Sequence, residues 1–189
     1  IKPDINTGNS STGISETNAI TSEKNNVYGT INGWVGKNSA NLTINQIGDN
    51  VNADGWVGSA SVHINERKFG GGSAISGNIH THSEGFKSVN INVSGPENMR
   101  TLNGWIGKDN VWLTERESFN GETEITGRIG SKDIDVRFGN KNGNLVVNGD
   151  VRDSMDFGSE RIWLSGHQNP SEPGLSALCI IPALTIISK

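Results

Sequence analysis

The chain has 189 residues, enough for one domain that buries roughly 70% of its unfolded surface. Charged residues make up 19% and the net charge is −4, with the basic residues scattered, which removes the electrostatic footprint of a nucleic-acid partner. A single cysteine, Cys179, excludes an internal disulfide, and no apolar run reaches the ~20 residues of a helical membrane span.

Residues 1–26 are polar, rich in Asn, Ser and Thr, and carry no hydrophobic period. They read as a flexible leader. The chain begins at Ile1 and not at methionine, so the expectation is a processed product, secreted or at the cell surface. Asn9, Asn41 and Asn92 sit in Asn-X-Ser/Thr sequons, which matter if the source glycosylates its proteins.

From residue 27 to 168 the chain repeats itself. The pattern apolar-x-Gly-x-apolar occurs six times: Ile31–Val35, Ala53–Val57, Ile75–Ile79, Leu102–Ile106, Ile125–Ile129 and Val147–Val151. Its glycines, Gly33, Gly55, Gly77, Gly104, Gly127 and Gly149, are 22, 22, 27, 23 and 22 residues apart. Each occurrence is followed by a turn and a second alternating run, such as Leu42-x-Ile44, Val62-x-Ile64 or Val111-x-Leu113. Strict alternation signals half-buried strands, and no 3.6-residue period competes with it. Asn-Gly and Gly-rich links, Asn140–Gly143 and Gly70–Ser73 among them, predict hairpins. Each repeat is therefore a two-stranded unit, and six units predict about 12 antiparallel strands.

Two all-β architectures accommodate this pattern. In a closed meander barrel successive hairpins pair side by side and no sheet edge is left. In a β-solenoid each ~22-residue repeat is one coil stacked on the next. The hairpin turns and the mixed charges that end several strands favour the barrel. By alternation the repeated glycines face inward at one level, and the expectation is that they open space in the lumen.

Residues 169–189 form a linker and an apolar segment, Leu175–Ile187, integrated in the same domain and packed in or against the barrel centre as a helix, a strand or a cap. Cys179 lies in this run and reads as a small buried hydrophobe. A 12-stranded barrel with an apolar C-terminal segment resembles the tubby-like architecture in strand count and tail alone. No motif of that family is present, so no binding residue carries over from it.

The partners of the inward glycines face outward, and three of them are tryptophans: Trp34, Trp56 and Trp105. Trp112 and Trp163 also alternate outward. Buried under long side chains, the leader or another subunit, these rings would be structural. Left exposed, they are platforms for sugar rings or a lipid surface, and Trp34, Trp56, Trp105 and Trp112 are the candidate ligand-binding residues. Trp34 and Trp56 lie two strands apart, about 10 Å.

Three of the four histidines cluster in the pattern. Folding about Gly70–Ser73 sets His63 opposite His80, with His82 on the same face, a set that would bind Zn²⁺ or Cu²⁺ with Glu84 beside it. Solvated outer-face histidines are the plainer account. No catalytic nucleophile motif is present. The carboxylate pairs Glu115/Glu117 and Asp133/Asp135 share strand faces, read here as solvated outer ones. The functional expectation is a non-catalytic binding or adhesion module, with carbohydrate as the candidate partner. A self-assembling homo-oligomer and a metal-dependent enzyme at His63, His80 and His82 are the alternatives.

Overall fold

The computed structural model describes residues 26–154 and 158–167, the side chains of 26–28 and 167 excepted. These form twelve strands: β1 (Asn26–Val35), β2 (Asn38–Ile47), β3 (Asn50–Val57), β4 (Ala60–Phe69), β5 (Gly72–Thr81), β6 (Gly85–Ser94), β7 (Met99–Ile106), β8 (Asp109–Glu117), β9 (Thr123–Ile129), β10 (Lys132–Lys141), β11 (Asn144–Asp153) and β12 (Ser159–His167). Every strand pairs antiparallel with its sequence neighbours, and β1 pairs with β12, so the meander closes into a barrel. The predicted repeats are the six hairpins from β1–β2 to β11–β12. Antiparallel neighbours within one closed sheet replace the stacked coils of the solenoid alternative. The leader up to residue 25, the linker and the apolar segment with Cys179 lie outside the described residues, and Asn26, read as the leader's last residue, opens β1.

Local chemistry explains the hairpins. Gly36, Gly48, Gly58, Gly107 and Gly130 open two-residue links with φ of 57–59°, the left-handed start that a type II′ turn requires. Asn142 and Gly143 both have positive φ, 56° and 79°, as a type I′ turn requires. These links fix the register, and alternation then sorts the side chains. Along β4, Val62 and Ile64 are buried while His63 is exposed; along β8, Val111 and Leu113 are buried while Trp112 is exposed. The inner face is aliphatic, with Ile31, Leu42, Ile75, Ile79, Ile91, Leu102, Ile106, Ile125, Ile162 and Leu164 fully buried. The outer face carries exposed Asn90, Asn92, Asn103, Arg128, Asp133, Arg137 and Arg152. This apolar-in, polar-out pattern is the inverse of a lipid-facing barrel, whose outward band is apolar.

The repeated glycines do something other than open the lumen. Gly33, Gly55, Gly77, Gly104, Gly127 and Gly149 stand opposite Leu164, Leu42, Ile64, Ile91, Leu113 and Val136 on the adjacent strand. A Cβ placed at any of the first five would lie 2.1 Å from a carbonyl oxygen of that strand, and 2.4 Å at Gly149. The direction a side chain would take leads into neighbouring backbone and not into the centre. The glycine therefore permits a close strand approach, and six of them at one level let the sheet coil tightly enough to close.

Candidate functional site

The barrel has two rims. One carries the links at 36–37, 58–59, 82–84, 107–108 and 130–131, together with the connection from β11 to β12; the other carries those at 48–49, 70–71, 95–98, 118–122 and 142–143. The tryptophans gather towards the first rim. Trp34, Trp56 and Trp105 each precede the last residue of β1, β3 and β7, one pleat away from the link. All face outward, and between 44% (Trp56) and 71% (Trp112) of each remains exposed, Trp163 included, so neighbouring side chains do not cover them.

Their grouping follows from the register. Closure of the barrel sets Trp34 directly opposite Trp163, a neighbour that only the β1–β12 pairing creates. Trp56 lies two strands further round, as expected from the repeat. From β12 to β3 the three indoles span about 14 Å at the standard strand spacing. On the other side of the barrel, Trp112 faces Asn103 and lies diagonal to Trp105, at roughly 7–8 Å. Four of the five tryptophans have an asparagine as a direct cross-strand neighbour: Asn41 for Trp56, Asn90 and Asn110 for Trp105, Asn103 for Trp112 and Asn148 for Trp163. Trp34 lies between Trp163 and Ser39. Asn41 is itself held, its Nδ2 donating to Asn32 Oδ1 on β1. Alternation already placed all five tryptophans outward; the apposition of Trp163 to Trp34 and the asparagine neighbours come only from the pairing.

The histidines are not assembled as the sequence suggested. The link between β4 and β5 is Gly70-Gly71 alone, with Phe69 opposite Gly72, so His63 pairs with Asn78 and His80 with Ser61. His63 turns the other way, its Nδ1 2.7 Å from Asp54 Oδ1 on β3. His80 packs on Phe86, centroids 4.4 Å apart, and lies 6.2 Å from His82. Glu84 pairs with Lys87. Among the described residues no three His, Cys, Asp or Glu side chains come together to hold a metal ion.

The second rim holds a site that was not anticipated. Glu66 follows Val62 and Ile64 in phase and is buried, 1% exposed. Glu115 follows Val111 and Leu113 in the same way and is 5% exposed, which corrects its assignment to an outer face; Glu117 is exposed. Arg100, in phase with Leu102, donates from Nη2 to Glu115 Oε1. Ser73 Oγ donates to Glu66 Oε1. Burial pushes the Glu66 carboxyl above the ordinary carboxylate range, opposed by the Ser73 hydrogen bond and by Arg100 and Lys68, and reinforced by Glu115. Glu66 Oε2 and Arg100 Nε are buried with no hydrogen-bond partner. Asp133 and Asp135 stay on the outer face, Asp133 paired with Arg128 at 2.8 Å.

No family model matches this chain, and no curated protein or solved structure matches it.

Proposed function

We propose that this protein is a secreted or cell-surface binding module that holds carbohydrate on its outer face. Trp34, Trp56, Trp105 and Trp112 serve as the platforms, and Trp163 extends the platform of Trp34. The observation that carries this reading is the pairing of exposed indole with amide: Trp56, Trp105, Trp112 and Trp163 each stand beside an asparagine across the sheet. A sugar ring presents an apolar C–H face, which stacks on indole, and hydroxyls that both donate and accept. An amide supplies both complements. Rigid strands hold the two groups at fixed separation, so little order is lost on binding.

Self-assembly through the same rings is the competing account, because adjacent large apolar side chains such as Trp34 and Trp163 also suit a protein–protein contact. One titration separates them. On the carbohydrate reading, emission of the dilute protein is red-shifted, independent of its concentration, and changed saturably by a glycan. A blue shift that grows with protein concentration, with no response to glycans, supports assembly and overturns the carbohydrate reading.

A further inference from the structure

Beside Glu66 and Arg100 a cleft of about 460 Å³ opens at the second rim, within the range of small-molecule sites. Glu66 and Arg100 form its polar floor, Ser73 and Ser94 stand on its walls, and Phe69 and Gly71 form its mouth. Two properties of the floor set what it would accept. The floor residues carry one acceptor, Glu66 Oε2, and one donor, Arg100 Nε–H, that are buried without a partner, and a buried polar atom without a partner costs about 1–3 kcal/mol. The lining carries both signs, Glu66 and Glu97 against Lys68 and Arg100, and Arg100 is already paired with Glu115. A charged ligand would meet a like charge from either direction, whereas a neutral group that donates and accepts side by side would satisfy both atoms.

We propose that this cleft is a second binding site, separate from the tryptophan face, for one neutral polyhydroxylated ring, a monosaccharide or the end of a glycan chain. Adjacent hydroxyls donate to Glu66 Oε2 and accept from Arg100 Nε–H. Phe69, 56% exposed, covers the apolar face of the ring. At Gly71 a Cβ would meet nothing within 4 Å, so the mouth is open to a flat ring.

The test follows the Arg100 Nε–H resonance and the backbone amides of Gly71–Ser73 by NMR. The intact protein is titrated separately with glucose, galactose, mannose and N-acetylglucosamine, then with methylammonium and acetate. The expected result is a saturable shift of the Arg100 Nε–H signal with at least one sugar, with a midpoint of its own, independent of any shift in the indole N–H signals of Trp34 and Trp163. Phe69→Ala, an exposed position that leaves folding intact, should weaken that binding at least tenfold. Ser94→Ala should leave the thermal midpoint unchanged and weaken binding less. The proposal is overturned if none of the four sugars shifts Arg100 at tens of millimolar. It is equally overturned if methylammonium or acetate shifts it instead, or if Phe69→Ala binds as the parent does. Shifts confined to the indole signals would leave the tryptophan site standing and remove this one.

Discussion

Replacing Gly127 by alanine tests the claim that the repeated glycines exist for close strand approach. Gly127 has φ of +140°, and its added Cβ would sit 2.1 Å from Trp112 O and 2.9 Å from Leu113 Cα. The obstacle is backbone on both counts, so no side chain can swing aside. Two terms add: about 1–3 kcal/mol for forcing an L-residue into that backbone region, and about 1–3 kcal/mol for strain in a packed interior. The sum, about 2–6 kcal/mol, is a large part of the 5–15 kcal/mol that holds a domain together. The control is Gly48→Ala, at φ +59° with nothing within 4 Å, where only the left-handed backbone penalises alanine, at about 1–2 kcal/mol. Urea denaturation followed by far-UV circular dichroism measures both. At about 2–4 °C per kcal/mol, Gly127→Ala should also melt about 4–24 °C below the parent. If Gly127→Ala cost no more than Gly48→Ala, the adjacent strand would be yielding freely, and the account of barrel closure would be wrong.

Glu66 makes stability depend on pH. Its folded pKa is raised, so the unfolded chain loses the proton first as pH climbs, and stability falls through the interval between the ordinary value of 4.5 and the raised one. Glu66→Gln, which keeps an acceptor for Ser73 and still faces Lys68, Arg100 and Glu115, should be more stable than the parent at pH 7 and show no advantage below pH 4.5; pH-resolved thermal melts check this. Glu115→Gln removes the carboxylate paired with Arg100 and should cost about 3–5 kcal/mol in urea, the penalty for a buried charge left without its partner. Part of that loss should return in the double variant Glu115→Gln/Arg100→Met, which deletes both charges. Trp163→Ala, at an exposed outer position, should leave stability within about 0.5 kcal/mol of the parent by the same measurement.

The fold was legible because two signals agreed. Period-2 alternation separated Ile125 and Ile129 from Arg128, and glycine-led links placed the turns, so strand count and inward face followed directly. The function of Gly127 and its equivalents was not legible, because a clash with Trp112 O depends on the register of the neighbouring strand and not on the strand itself. Register also decided the histidines: taking Gly70–Ser73 as a four-residue turn sets His63 against His80, whereas the two-residue link at Gly70-Gly71 sets it against Asn78. The charged cluster did leave a trace. Glu66, Arg100 and Glu115 all occupy the phase of buried neighbours, but charges near strand ends ordinarily reach solvent, and only the register sets Arg100 opposite Glu115 and Ser73 within reach of Glu66. Trp34 and Trp163, 129 positions apart in the chain, became neighbours through the pairing of β1 with β12 that closes the barrel.

The most direct test of the central claim is binding of the parent protein and of the double variant Trp34→Ala/Trp163→Ala to an array of immobilised glycans, with thermal melts to verify that both are folded. The account predicts that the parent is retained on at least one class of glycan, that the double variant loses that retention, and that both melt alike. A parent that binds no glycan would contradict it. So would retention that survives removal of Trp34 and Trp163 and then of Trp56, Trp105 and Trp112.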